Sequence, residues 1–140
     1  MNTIAVDSKH LKHAEWMLRL VMIFTLATAG VSKLLSDGSF YNYYSALFAN
    51  QDLRIQLPNI LVDLHLLLTP FIEIGIALAL IFTRIRRYAI TAWWIWFIMI
   101  QFGHYVLQDW SAVNEIIPYQ ILGVLCYVLP AHNFLQRQIK

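Results

Sequence analysis

The chain has 140 residues, of which 59% are hydrophobic and only 13% charged, with a formal net charge of +2 and a mean hydropathy of +0.58. That length allows one domain, and that apolarity exceeds what an ordinary soluble domain carries. The single cysteine, Cys126, excludes an intrachain disulfide and a CxxC redox centre, and no P-loop, GxGxxG, GxSxG or paired-carboxylate hydrolase arrangement occurs.

A helix needs about 20 apolar residues to cross a hydrocarbon core of about 30 Å. Four segments meet that need, at about 16–35, 60–83, 88–107 and 113–131. The expected fold class is therefore all-α: a four-transmembrane-helix bundle with a short interfacial helix in the first outer loop. Residues 1–14 read as an N-terminal tail, 15–131 as the transmembrane domain and 132–140 as a C-terminal tail.

Charge gives the orientation. Lys9, Lys12, Arg19, Arg84, Arg86, Arg87, Arg137 and Lys140 fall on one side; Lys33 and Arg54 fall on the other, with Asp37, Asp52, Asp63, Asp109 and Glu115. The positive-inside rule then makes both termini cytoplasmic, in a multi-pass membrane protein. The basic clusters are topology signals, and no nucleic-acid partner is expected. The lipid bilayer is the first partner.

Taken in chain order, the first helix opens with Glu15 and Arg19, four apart and able to pair at the inner interface. Ala27-Thr28-Ala29 resembles a signal-peptide cleavage site, but Glu15 and Arg19 interrupt the apolar run before it, so the segment reads as a retained helix. Thr25, Thr28 and Ser32, with Gly30 nearby, suit close helix packing. Asp37-Gly38 then signals a turn. In the loop that follows, Phe40, Tyr43, Tyr44, Leu47 and Phe48 recur at helical spacing, which predicts a short amphipathic helix serving as an interfacial anchor or as a lid.

In the second span Pro70 removes a backbone donor and crowds the Leu66 carbonyl, which predicts a kink, and Pro118 does the same to Asn114 in the fourth. Gly75 and Ala79 suggest a second close-packing face. The third span carries Trp93, Trp94 and Trp96; belts explain tryptophans near an end, whereas Trp96 lies deeper and suits packing or a ligand.

Ionisable residues inside a membrane are functional candidates because each is costly to insert. At about 1.5 Å per residue, Glu73 falls at the midplane of the second span, with His65 about 12 Å outward. His104 on the antiparallel third span, Lys33 at the end of the first and Glu115 and Tyr119 at the start of the fourth share that outer depth. Glu73 has three readings: a neutral carboxyl hydrogen-bonded between helices, a partner of Arg or His from a neighbouring helix or subunit, or a proton site for a ligand such as quinol. His65 and His104 can also be read as axial ligands of a b-type haem. No HExxH or Cys/His spacing supports zinc.

Two stretches resemble a known family. "AGVSKLLSDGSF" (29–40) is similar to the end of the first helix of DoxX-like membrane proteins, and "TPFIEIGIALAL" (69–80) to the second helix of DoxX-like and MauE-like proteins. The matched positions are Lys33, Phe40, Pro70 and Glu73. The resemblance implies a four-helix inner-membrane bundle working in redox biology, without assigning a catalytic role to any of these residues.

The expectation is an accessory or anchor subunit of a respiratory or oxidoreductase complex, contacting quinone in the outer half of the bundle. The candidate ligand or proton residues are Glu73, His104, Lys33, His65, Tyr44 and Trp96. No group in the chain performs electron transfer alone, so other membrane subunits are implied as partners. The alternatives are a structural assembly protein and a bis-histidine haem b carrier.

Overall fold

The computed structural model describes residues 8–131, which form five α-helices: α1 (Ser8–Leu34), α2 (Ser39–Phe48), α3 (Asn59–Ile81), α4 (Arg86–Val106) and α5 (Trp110–Val128). Among the described residues there is no sheet. Three helices, α1, α3 and α5, are long and apolar enough to cross a membrane, so the chain is a multi-pass membrane protein. Helix α4 is as long, at 21 residues, but Arg86, Arg87, Gln101, His104 and its tryptophans make it less apolar.

The first helix starts at Ser8, so residues 8–14, expected as tail, are its first turns. The expected C-terminal tail, 132–140, lies outside the described residues. Asp37 and Gly38 both adopt positive φ, 50° and 79°, and turn the chain from α1 into α2 as the Asp-Gly pair predicts.

Helix α1 packs chiefly on α3 and α4 on α5; α3 joins the two pairs through α4, and α2 lies across α3. The core is built from one face of each long helix, with Met22 and Leu26 against Ile76 and Leu80, then Ile90, Trp93 and Phe97 against Ile116 and Cys126. Trp93 donates its indole N–H to the Tyr119 carbonyl at 2.9 Å, on the turn that carries Pro118.

The close approaches are not all where the small residues suggested. A Cβ on Gly30 would stand 2.7 Å from Ile74 Cγ1 and 2.8 Å from the Pro70 carbonyl oxygen, so α1 rests on α3 there. A Cβ on Gly123 would stand 2.9 Å from the Trp93 ring, fixing α5 on α4. Gly75, by contrast, is exposed and meets nothing within 4 Å. Thr28 and Ser32 bond carbonyls of their own helix, Phe24 and Thr25 for one and Ala29 for the other, and do not bridge helices. Helix α3 runs unbroken through Pro70.

Candidate functional site

Helix geometry first explains how Lys33 and Glu73 meet. Side chains on an α-helix lean toward its N-terminus. Because α1 and α3 are antiparallel, Lys33 and Glu73 lean toward each other along their helices. Gly30, one turn before Lys33, lets the backbones approach at Pro70, one turn before Glu73.

The result is a two-pronged ion pair. Lys33 Nζ donates to Glu73 Oε1 at 2.6 Å and to Oε2 at 2.7 Å. The Glu73 side chain is 2% exposed and that of Lys33 21%, so the carboxylate is buried more deeply than the ammonium that meets it. The same ammonium lies 5.2 Å from the centre of the Phe40 ring, a cation–π contact that holds α2 over the pair. The partner of Glu73 is thus a lysine from the neighbouring helix, a cation that none of the three sequence readings of Glu73 named.

Above this pair lies a cavity of about 120 Å³ lined from four helices. Lys33 and Glu73 contribute its charged groups, His65 and His104 its imidazoles, and Phe40 and Tyr44 an aromatic wall. Leu66, Ile100 and Leu107 supply apolar surface, with Phe48, Thr69 and Gly103 between. Helix α2 therefore covers the cavity as a lid through Phe40, Tyr44 and Phe48, while Tyr43 and Leu47 face outward. Rings within the lid brace each other, Phe40 to Tyr44 at 5.1 Å and Tyr43 to Tyr44 at 5.2 Å. Tyr41 ties the lid to α3 by donating its hydroxyl to Asp63 at 2.8 Å.

Five of the six candidate residues, Lys33, Tyr44, His65, Glu73 and His104, line this cavity. The sixth, Trp96, sits behind it, its ring 5.3 Å from that of His65. The Trp96 indole N–H is buried beside the Glu73 carboxylate without reaching hydrogen-bond geometry with any group among the described residues. Tyr44 meets His104 edge to face at 6.0 Å, and His104 Nδ1 lies 3.2 Å from the Asp109 carboxylate, which also caps α5 through the Ala112 N–H. Burial pushes the Tyr44 hydroxyl above the ordinary tyrosine range, so it remains a donor at neutral pH. The other two sequence landmarks of the outer face lie apart: Glu115 is exposed and receives the Ser111 hydroxyl at 3.4 Å, and Tyr119 stacks on Phe97.

The size of the cavity limits what it can hold. Drug-sized ligands occupy about 300–1,000 Å³, and an apolar cavity of about 150 Å³ accepts benzene. The space suits one small ring, and His65 and His104 both line it. Among the described residues no group of three or more metal-ligating side chains occurs.

A second polar cluster, which sequence reasoning divided between a helix pair and a topology signal, closes the other end of the bundle. Glu15 Oε1 forms ion pairs with Arg86 Nε at 2.7 Å and Arg19 Nε at 3.3 Å, with the side chains of Glu15 and Arg19 fully buried and that of Arg86 5% exposed. Arg86 also donates to the Cys126 and Leu129 carbonyls, which caps the end of α5. The Glu15–Arg19 pair was legible from its spacing. Arg86 was missed as a buried residue, and the signal that could have found it is the series Arg86, Ala89, Ile90, Trp93, Trp96 and Phe97, the buried face of α4.

Comparison of the chain with family models, with curated proteins and with solved structures found no match.

Proposed function

We propose that this protein is a non-catalytic subunit of a membrane oxidoreductase, a four-span inner-membrane protein with both termini cytoplasmic, whose outer-half cavity holds the ring of a quinone. The observation that carries this reading is the cavity itself: ring-sized, walled by aromatic and aliphatic side chains, and furnished by four helices with an ammonium, a carboxylate, two imidazoles and a phenol. A quinone is an apolar ring with two opposed carbonyl oxygens, so it needs an apolar slot with donors at its ends. Lys33, Tyr44 and His104 are donors of that kind. A groove of about 520 Å³ along α1 and α2 shares Lys33, Phe40 and Tyr44 with the cavity and gives an isoprenoid tail a way toward lipid.

Oxidising a quinol releases two electrons and two protons. The chain offers proton acceptors in the Glu73 carboxylate and the His104 imidazole, and the electrons pass to a redox centre of a partner subunit. The two stretches that resemble DoxX-like proteins supply Lys33 and Glu73, the pair at the floor of the cavity, which supports placing the chain in that redox setting. The α4 span rests on length and on its pairing with α5, whose own crossing α4 must accompany.

The test is quinol-dependent turnover of the complex isolated from native membranes with this subunit present. Glu73→Gln lowers turnover while the subunit stays bound; unchanged turnover with full occupancy refutes the proton role.

One observation favours a second reading, a structural assembly protein. Lys33 and Glu73 satisfy each other within the chain, as a lock between α1 and α3 would. In that case Glu73→Gln releases partner subunits and leaves the turnover of the remaining complex intact.

A further inference from the structure

At the opposite end of α4 from the cavity, the 3-10 turn Thr83–Ile85, the start of α4 and the end of α5 enclose a recess of about 620 Å³. Its walls carry Arg84, Arg86 and Arg87 together with Tyr88, Tyr127 and Val128. Arg86 is committed to Glu15 and to the carbonyls that end α5. Arg84 and Arg87 are exposed and make no ion pair among the described residues.

Their surroundings favour an anion. The first turn of α4 holds no acidic residue, and Arg87 lies at the positive end of the helix dipole. Of the chain's eight acidic residues, only Asp7 and Glu15 belong to this side by sequence; Glu15 is already enclosed by Arg19 and Arg86, and Asp7 lies outside the described residues.

The recess does not end at polar groups. It shares Thr91 and Tyr127 with an apolar groove of about 150 Å³ between α4 and α5, lined further by Ile90, Trp94 and Val124 and floored by Gly123. A cationic recess continuous with an apolar groove on a lipid-facing surface matches a molecule with an anionic head and a hydrocarbon tail. An inorganic anion has no use for the groove.

We infer that this end of the protein binds one anionic phospholipid, its phosphate held by Arg84 and Arg87 in the recess and an acyl chain lying in the groove between α4 and α5. Basic recesses between spans on the cytoplasmic side recognise such headgroups through the same chemistry. The site shares no residue with the quinone cavity and rests on the proposed function only for its four-span topology.

Native mass spectrometry of the full chain released from detergent micelles tests it, with phosphatidylglycerol, phosphatidylcholine and inorganic phosphate as probes. One phosphatidylglycerol is retained in preference to phosphatidylcholine, and Arg84→Gln/Arg87→Gln weakens its binding about 30-fold. Both arginines are exposed, so the double variant keeps the helical circular dichroism of the parent. Val124→Trp, which fills the groove from an exposed position, also weakens phosphatidylglycerol. Equal retention of the two lipids overturns the proposal, as does an unchanged affinity in the double variant. Displacement of the lipid by millimolar inorganic phosphate, with no effect of Val124→Trp, identifies a free-anion site and overturns the lipid assignment.

Discussion

The Lys33 ammonium bridges both carboxylate oxygens of Glu73, at 2.6 and 2.7 Å, across forty residues of sequence and between two antiparallel helices. Gly30 makes this geometry possible by letting α1 rest on the Pro70 carbonyl. The pair brings a carboxylate and its counter-ion to depth together, which removes much of the cost that either would incur alone.

The first prediction concerns that coupling. Lys33→Met strands a buried carboxylate and destabilises the protein by about 3–5 kcal/mol, while Lys33→Met combined with Glu73→Leu recovers most of the loss. Thermal unfolding in a fixed detergent gives the cycle. Additive losses in the double variant would show that the two groups do not act as a pair.

Gly30→Ala tests the close approach. Helix propensity alone favours alanine by about 1 kcal/mol. The new Cβ would lie 2.8 Å from a backbone oxygen, which cannot move aside as a side chain end can, so overpacking of about 1–3 kcal/mol prevails. The melting temperature falls, whereas Gly75→Ala, in open space, leaves it level or raised. A rise for Gly30→Ala would disprove the contact.

At the other end of the bundle, Glu15 is the carboxylate shared by Arg19 and Arg86. Glu15→Gln removes that shared charge from two buried guanidiniums and costs about 3–5 kcal/mol. Glu115→Gln, at an exposed position, stays within about 0.5 kcal/mol of the parent. Equal small effects of the two substitutions would place the Glu15 cluster in water.

The lid is tied down by Tyr41. The hydrogen bond to Asp63 raises the Tyr41 pKa above its ordinary value of 10.0, so the fold favours the protonated hydroxyl. The contribution of this bond is therefore complete below about pH 10 and disappears as pH rises through the elevated folded-state value. Tyr41→Phe removes the bond at every pH: proteolysis within Ser39–Phe48 becomes faster at neutral pH and loses its alkaline step. A step that survives in the variant would belong to another group.

Much of this arrangement could be read in the sequence because helical periodicity locates faces. Glu15, Arg19, Met22, Leu26 and Gly30 mark one side of α1, and Val62, Leu66, Thr69, Glu73, Ile76 and Leu80 one side of α3, which brings the ionisable residues inward. Side-chain partners were less legible. Which cation answers Glu73 depends on the antiparallel lean of two side chains and on a glycine contact, and neither is visible within one helix. The role of α2 was equally hidden, because an amphipathic aromatic face looks the same whether it meets headgroups or covers a cavity. Gly75 shows the converse case: small residues four apart permit close packing, but only a neighbour creates it.

Photolabelling with a radioactive azido-quinone in reconstituted bilayers tests the central claim most directly, because it reports where the ring resides. The account predicts label in the peptides carrying Phe40–Phe48 and His65–Glu73, suppressed by excess unlabelled quinone and reduced in Glu73→Gln. Label spread over lipid-facing residues such as Phe24, Phe71 and Phe102, and indifferent to competitor, would contradict it.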